Sequence, residues 1–416
     1  MVSLSLLLFS CSASSDQEFI VHPTEEQQVA ARPAESVPGA DDLAGWLYSL
    51  DRVHQITLVL PESSWWRLWY DPYTKVVADI EIDGIPTSEI AVRTKGRYGS
   101  FRNLQGKPGF LVDFNYFKDG QQFYGLEQLN LNNMVQDTSQ LHDYLAYQVY
   151  ELLDVPAPRV GYVWLTVQVM AGDEIIMDEI FGLYANVEAY DDVFLARNFD
   201  EPDGRLYDGD YWMADDWSAY QLVDFHKVLQ TNFELDEGED VDLADIDAVT
   251  ETLEAVAYTP QFDEAINERI NLDQFNRFWA VETWVGQPDG YAYGRNNYRV
   301  YFDPGDEYRA VFMPWDHDWA FYTQTTIETP YGLVATACKA DAHCFASFQE
   351  YLWSVSTLVA ESGIHTQMDR VEELIDPWIV IDPRREISVR NLGPERTRLR
   401  QWLDNRDETL ELYFPQ

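Results

Sequence analysis

The hydrophobic pattern of this 416-residue chain changes its period part of the way along. In the first part, apolar residues recur in short strand-like runs, at 55–60, 78–82, 89–93, 109–114, 162–170 and 179–188, with helices predicted at 63–70 and 138–153. From about residue 209 onward helical spacing dominates, at 215–231, 243–256, 260–269, 272–285, 344–361, 364–375 and 393–411. Strands followed by helices predict an α+β fold with a strand-rich amino-terminal part and a helical carboxy-terminal part.

The composition is that of one large folded domain behind a leader. Hydrophobic residues make up 46% of the chain and aromatic residues 14%, enough to bury a substantial core. We expect a flexible tether over residues 12–45, rich in Ser, Glu, Gln, Pro and Ala. A strand-rich lobe over 46–190 and a helical lobe over 191–416 would then form the domain.

The formal net charge of −44 restricts the partners. Nucleic acids bind to basic faces, so this charge argues against a nucleic-acid partner. Two explanations of the charge stay open. Surface acid keeps a protein soluble in saline surroundings, whereas acidic clusters such as residues 236–240 would attract a basic protein substrate.

The amino terminus resembles a processing signal. Residues 1–9 are apolar and are followed by Ser10-Cys11-Ser12-Ala13, which is similar to the end of a bacterial lipoprotein signal with Cys11 as the lipidated residue. No Lys or Arg precedes the apolar run, and Phe9 is bulkier than the residue usual there. Nine apolar residues cannot span a bilayer, which needs about twenty. We therefore expect an extracytoplasmic bacterial protein, secreted or held at the envelope through Cys11.

Two further cysteines agree with export. Cys338 and Cys344 enclose a short loop that also contains His343. A disulfide in an oxidising compartment explains an even pair at this spacing. Zinc is the weaker reading, because structural zinc takes four ligands and this segment supplies three at most.

An amide pair and a carboxylate pair lie at the ends of two apolar runs that read as a hairpin. Asn296 and Asn297 stand before the first run, and Asp316 and Asp318 stand after the second. Tryptophan and phenylalanine flank the carboxylates, and an ionised acid among apolar side chains needs a partner. Mg²⁺ held together with substrate phosphates suits carboxylate and amide oxygens. The alternative is that the two carboxylates cap the hairpin by accepting backbone N–H groups.

More motifs follow one another along the chain in a recognisable order. They are 95–102 (Lys-Gly-Arg-Tyr-Gly-Ser-Phe-Arg), 106–108, 123–126, 129–133, 137–139, 155–159, 182–184 with Glu188, and 289–318. Together, over about residues 92–321, they resemble the CotH family of atypical, secreted protein kinases named from bacterial spore coats. The resemblance implies ATP-dependent phosphorylation on a protein-kinase-like, two-lobed fold.

The resemblance also implies roles for the residues around the hairpin. Asp289 would be the catalytic aspartate that accepts the proton of the substrate hydroxyl. Asn297 and Asp318, with Asp316 as a further ligand, would hold Mg²⁺ or Mn²⁺. We favour Asn297 over Asn296, and Asp318 over Asp316. In ordinary protein kinases the metal-binding Asn follows the catalytic Asp by about five positions, whereas Asn296 and Asn297 follow Asp289 by seven and eight.

The glycine-containing loop 96–106 would cover the ATP phosphates. Gly99 and Ser100 allow the backbone to approach phosphate closely. Four of the 28 Lys and Arg residues of the chain cluster in or beside this loop: Lys95, Arg97, Arg102 and Lys107. We favour Lys107 as the phosphate lysine, with Lys95 and Arg102 as additional phosphate contacts.

Protein kinases pair the phosphate lysine with a Glu on a nearby helix. Asp143, in the predicted helix 138–153, is the nearest match in position. Its side chain is one methylene shorter than Glu, and Glu188 is a competing partner.

Two classes of function follow. The first is a secreted or lipid-tethered kinase that transfers the ATP γ-phosphate to Ser or Thr of an extracytoplasmic protein. The acidic clusters would favour a basic, Ser-rich substrate. The second is a kinase-shaped surface scaffold or adhesin with little turnover. The chain lacks a Gly-x-Ser-x-Gly elbow and a His-Glu-x-x-His helix, so hydrolase chemistry has little support. The acidic and amide positions favour the enzyme, since a scaffold has no need of them.

Overall fold

The computed structural model of the protein describes residues 42–209, 212–213, 220–239, 242–322 and 329–415. The signal-like segment with Cys11, and residues 12–41 of the expected tether, lie outside these ranges. So do residues 214–219, at the start of the predicted helix 215–231.

Seven strands close a barrel in the amino-terminal part. Their bounds are β1 His54–Pro61, β2 Val76–Ile82, β3 Ile85–Lys95, β4 Gly109–Asp113, β5 Gln128–Asn132, β6 Val160–Ala171 and β7 Glu174–Val187. The strand order is β1-β2-β3-β4-β5-β7-β6, antiparallel except where β6 pairs parallel with β1 and closes the ring. Helix α1 (Glu62–Tyr70) connects β1 to β2 and packs against both strands.

Local sequence explains the β2–β3 hairpin. Alternate residues of β2, from Val76 to Ile82, are buried, and the residues between them are exposed. The turn residues Asp83 and Gly84 have φ angles of +47° and +82°, the left-handed pair that a two-residue hairpin turn requires. The two strands predicted here, 78–82 and 89–93, are therefore confirmed, and each is longer than predicted.

The carboxy-terminal part is mainly helical. The remaining helices are α2 His142–Glu151, α3 Asp192–Asn198, α4 Ala244–Val256, α5 Phe262–Ile266, α6 Leu272–Val285, α7 Tyr291–Gly294, α8 Leu333–Ala340, α9 Ala342–Glu361, α10 Ile364–Ile381 and α11 Val389–Tyr413. Helix α6 lies at the centre of this part and packs against α2 and α9. Trp279 of α6 stacks on Phe348 of α9, with ring centroids 3.8 Å apart. The predicted α+β fold, strand-rich first and helical second, is confirmed.

A second sheet lies within the helical part and carries the predicted hairpin. Its strands are β8 Arg205–Asp208, β11 Glu234–Glu237, β12 Tyr298–Asp303 and β13 Arg309–Pro314, in the order β11-β8-β12-β13. A short pair, β9 Trp212–Met213 and β10 Tyr220–Gln221, precedes β11. Because Tyr298 pairs with Pro314, the amides before β12 and the carboxylates after β13 leave the sheet at the same end.

The predicted helix 215–231 is wrong in the part that the structure describes. Residues 222–229 form no α-helix, and only a short 3-10 turn follows at Gln230–Asn232. Val223 and Phe225 are buried on either side of Asp224, which is buried too. Between them, the carboxylate of Asp224 accepts the backbone N–H groups of Phe225 and Leu333. A side chain that binds backbone amides in this way competes with helix formation.

The predicted disulfide between Cys338 and Cys344 is confirmed. It joins the end of α8 to the start of α9, and both cysteines are buried beside Asn276 of α6. Among the helices of the described residues, none is both long enough and apolar enough to cross a membrane.

Candidate active site

A cavity of about 720 Å³ separates the barrel from the helical part. The barrel side carries basic residues, Arg93 and Lys95 among them, and the opposite side carries Asp289, Asp316 and Asp318. A cleft with cations on one wall and carboxylates on the other can hold a polyanion through the first wall and a cation through the second. Its volume is in the range of small-molecule sites.

Asp289 owes its position to the end of helix α6. Gly286 ends the helix in the left-handed conformation, with φ +69°, and this directs the following loop into the cleft. There Oδ2 of Asp289 accepts hydrogen bonds from the side-chain amides of Asn296 and Asn297, each at 3.1 Å. The structure thus brings the predicted catalytic aspartate and the predicted metal asparagine into direct contact.

Gln287 connects this loop to the carboxylate pair. It is buried, donates through Nε2 to the backbone carbonyl of Asp316 at 2.7 Å, and accepts the N–H of Asp289 at 3.4 Å. Trp315 adds a second link, because its N–H donates to the carbonyl of Asn297 at 3.0 Å. These bonds hold Asp289 and the hairpin ends in one arrangement.

The carboxylates crowd the acidic wall. Burial, together with the charges of Asp316, Asp143, Asp137 and Asp289, raises the pKa of Asp318 well above its usual range. Such a cluster gains from a bound cation, which favours the ionised form. In the described part of the chain, no three His, Cys, Asp or Glu side chains form a metal site by themselves. The donor set fits Mg²⁺ or Mn²⁺ only where substrate phosphates complete the coordination, as they do in kinase sites.

Two buried histidines support the carboxylate segment from behind. Nδ1 of His142 lies 2.9 Å from the backbone carbonyl of Asp318. Nε2 of His317 lies 3.2 Å from the hydroxyl of Tyr150, and burial lowers the pKa of His317 to about 3. Both contacts are structural, so neither histidine is placed as a catalyst.

Lys95, at the end of β3, lines the same cavity as these carboxylates. Its Nζ donates to Oδ1 of Asn132 at 2.6 Å and to Oδ1 of Asn130 at 3.3 Å. The same Nζ lies 5.3 Å from the ring centroid of Trp315. The two amide oxygens accept from the ammonium group and fix its position at the cavity.

Asp143 lies at the start of α2 and is joined to Lys95 through Asn132. Oδ2 of Asp143 accepts from the Asn132 side-chain amide at 3.2 Å, and Oδ1 accepts the N–H of His317 at 2.8 Å. Burial raises the pKa of Asp143, and the charge of Lys95 acts to lower it. Asn132 is the site residue that sequence reasoning missed, although it stood in the quoted motif 129–133.

Lys107 requires a correction. It is buried with 2% exposure, and its Nζ lies 2.7 Å from Oδ2 of Asp382, at the end of α10. Burial lowers the pKa of Lys107 and Asp382 acts to raise it. An ammonium group that is enclosed and ion-paired in this way does not face the cleft. Of the two lysines, Lys95 lines the cavity and Lys107 does not.

Glu188 is corrected in the same way. It is fully buried, and its carboxylate binds Arg159 at 2.6 Å and Arg197 at 2.7 Å. These arginines anchor the start of β6 and the end of α3, so Glu188 serves the fold and contacts neither Lys95 nor Lys107.

One part of the glycine-containing loop lines the cleft, and another part lies at the surface. Ser100 lines the cavity, and its carbonyl accepts from the side chain of Asn133 at 2.9 Å. Gly99 has φ +84°, and a Cβ there would lie 2.7 Å from Nε2 of Gln136, so this tight turn requires glycine. Arg102 instead forms an ion pair with Glu386, at 2.5 Å.

Glu282, near the end of α6, binds the backbone of the segment that follows Asp289. It is fully buried, and Oε1 accepts the N–H of Ala292 at 2.9 Å. Oε2 has no hydrogen-bond partner among the described residues. Burial raises the pKa of Glu282 to about 8, and of two other buried acids, Asp191 and Asp224, to about 7 and about 6.

These raised pKa values predict a protein that is more stable in mild acid. Because the pKa of each acid is higher in the folded state than in the unfolded state, the native protein holds extra protons. That stabilisation is complete below the unfolded pKa and is lost as the pH rises through about 6 to 8. Each extra proton changes the free energy of unfolding by up to about 1.4 kcal/mol per pH unit.

Urea unfolding at pH 5.5, 7.0 and 8.5 measures this effect. We expect stability to fall with rising pH, and Glu282→Gln to reduce the slope between pH 7.0 and 8.5. The exposed Glu408→Gln is the matched control and should keep the wild-type slope. An unchanged slope in Glu282→Gln would show that Glu282 is ionised in the native state.

No curated protein matches the sequence. Among solved structures, HipA in the complex of the Shewanella oneidensis MR-1 toxin–antitoxin system HipA, HipB and its operator DNA is similar at 12% identity and a TM-score of 0.29, over 76% of this chain and 66% of that one. The family described as CotH kinase protein matches residues 92–410, and the chain therefore belongs to the CotH kinase family.

Proposed function

We propose that this protein is an ATP- and divalent-metal-dependent protein kinase that transfers the γ-phosphate to Ser or Thr of an extracytoplasmic protein. Membership of the CotH family supports an atypical kinase. The observation that carries the finer proposal is the cleft, in which Asp289, Asn297 and Asp318 face Lys95 across a cavity of about 720 Å³. Phosphoryl transfer depends mainly on positioning and charge stabilisation, and this arrangement supplies both.

Each residue has a definite task in this proposal. Lys95 binds the ATP phosphates, and Asp318, Asn297 and Asp316 hold Mg²⁺ or Mn²⁺. When bound, that ion offsets the negative charge of the phosphates. Asp289 orients the acceptor hydroxyl and accepts its proton as the new O–P bond forms and the bond from the γ-phosphorus to ADP breaks.

Transfer of label from γ-labelled ATP, with Mg²⁺ or Mn²⁺, tests the proposal. Wild type should label itself or a basic, Ser-rich acceptor, and Lys95→Met should lower the rate by at least about a hundredfold, the usual scale for loss of a charged transition-state contact. Lys75→Met is the matched control, because Lys75 pairs with Asp113 on the barrel at 2.6 Å and does not line the cavity. ATP binding by wild type without any transfer would favour the scaffold or adhesin instead.

The acidic wall supports a basic protein substrate. Glu234, Asp236 and Glu237 of β11 line the same cavity as Asp289, at the edge of the second sheet. Asp236 pairs with Arg299 at 3.2 Å, and burial raises the pKa of Glu237 to about 8, so Glu234 is the residue of this strand that we propose brings basic substrate residues near the acceptor hydroxyl.

For the location, we propose export with an anchor at Cys11, which lies outside the described residues. A lipidated protein should partition into the membrane fraction, and Cys11→Ser should release it. Recovery of wild type in the soluble fraction would exclude the anchor.

A further inference from the structure

Two basic residues of the β3–β4 loop, Arg102 and Lys107, bind one segment that is far away in sequence. Residues 382–386, between α10 and α11, contact the loop between β3 and β4 and do not line the cavity. We call this segment the connector. Its contacts join positions about 280 residues apart, so they form only when the two parts of the protein are packed together.

The inner end of the connector is buried against the barrel. Asp382 binds Lys107 at 2.7 Å and accepts the N–H of Leu183 on β7 at 3.0 Å. Gly182 makes this approach possible, since a Cβ there would lie 2.1 Å from Oδ1 of Asp382. A buried ion pair of this kind costs several kcal/mol when one partner is removed, so this end is a fixed anchor.

The middle of the connector binds the β3–β4 loop through its backbone. The guanidinium of Arg384 donates to the carbonyls of Leu104 and Gly106 at 2.9 and 2.6 Å. It also lies 3.5 Å from the ring centroid of Phe181 on β7. These bonds attach the second half of the loop to the barrel wall.

The outer end reaches the half of the loop that lines the cleft. Glu386 forms a two-pronged ion pair with Arg102, at 2.5 and 2.6 Å. Arg102 in turn donates to the carbonyls of Gly99 and Phe101, each at 2.8 Å. Ser100, the residue between those two carbonyls, lines the cavity. Glu386 is therefore linked, through Arg102, to the backbone of the loop residues on either side of Ser100.

We propose that the connector is a clamp that positions the β3–β4 loop over the ATP phosphates, with Glu386 as its positioning residue. The inference rests on the proposed function, because it assigns the loop to phosphate binding. Arg102 and Lys107 contribute to phosphate binding indirectly, because they hold the loop in place. Lys95 contacts the phosphate directly, from the cleft. A preorganised loop loses less entropy on binding, so the clamp contributes to affinity for phosphates and not for adenosine.

Glu386→Gln tests the clamp, because it breaks the ion pair at a half-exposed site. We expect the Kd for ATP with Mg²⁺ to rise by about fivefold, corresponding to loss of about 1 kcal/mol from an exposed pair, with adenosine binding unchanged. In steady state the KM for ATP should rise while kcat stays within about twofold. Asp369→Asn is the control, because it breaks another ion pair between an exposed acid and an arginine, that of Asp369 on α10 with Arg400 on α11.

Hydrogen exchange of the amides in residues 96–101 gives a readout without nucleotide, and it should be faster in Glu386→Gln than in the control. Arg102→Lys keeps the charge but loses the two-pronged geometry, and it should behave in the same way. If wild type does not bind ATP, the kinase proposal fails while the exchange result still tests the clamp. If wild type binds ATP and Glu386→Gln matches it in affinity and exchange, the clamp is overturned.

Discussion

Asp289→Asn should lower phosphoryl transfer by at least about a hundredfold and leave ATP binding nearly unchanged. The carboxylate of Asp289 receives the proton of the acceptor hydroxyl, a contact that strengthens in the transition state. An amide cannot accept that proton. Its oxygen can still accept the hydrogen bonds that Asn296 and Asn297 now donate, so the loop should keep its conformation. The measurements are initial rates with γ-labelled ATP and the ATP-induced thermal shift.

Asp303→Asn is the control for this experiment. Asp303 lies at the far end of the same hairpin, where Oδ1 accepts the N–H of Gly305, a bond that Asn can also form. The control should transfer phosphate at the wild-type rate. If Asp289→Asn were as fast as the control, Asp289 would not be the catalytic aspartate.

Asp318→Asn should stabilise the protein without ligand and remove most of its response to ATP with Mg²⁺. In the absence of a cation, the charge on Asp318 is disfavoured by burial and by the carboxylates around it, as its raised pKa shows. A neutral amide of the same shape avoids that repulsion. The amide also removes a negatively charged metal ligand, so the gain from binding should disappear.

Mass action sets the size of this effect. Wild type with ATP and Mg²⁺ at a hundred times their Kd should gain about 2.7 kcal/mol, and Asp318→Asn should lose most of that gain. Melting curves in EDTA measure the stability of each protein without ligand. Melting curves with ATP and Mg²⁺ then measure how much each protein gains from binding. Asp316→Asn run beside it tells which carboxylate matters more. Equal ATP shifts in wild type and Asp318→Asn would refute the assignment of Asp318 to the metal.

The local parts of the site could be read from the sequence because they lie close together in the chain. The two strands of the hairpin are joined by one short turn, so residues before the first strand and after the second had to meet. Asp289 lies just beyond a helix that ends at a glycine, which also places it locally. The disulfide spans six positions and is local in the same sense.

The sequence around the two lysines of one motif does not show which of them lines the cleft. Lys95 and Lys107 are twelve positions apart and equally basic, and our expectation chose the wrong one for the cleft. The decisive residue is Asp382, which lies 275 positions from Lys107 and encloses its ammonium group. No pattern near either lysine records that contact.

Distant partners also decide the different positions of Asp143 and Glu188. Asp143 lines a smaller pocket that shares Lys95 and Asp318 with the cleft, and Asn132 of β5 and His317 of the helical part both bind its carboxylate. Glu188 is instead occupied by two arginines. The sequence by itself determined the α+β order of elements, the hairpin with its amide and carboxylate ends, and the family motifs, since each depends on short-range periodicity and spacing. Only the tertiary structure decided which charged side chains face the cleft, because a charge is directed by whichever distant partner compensates its burial.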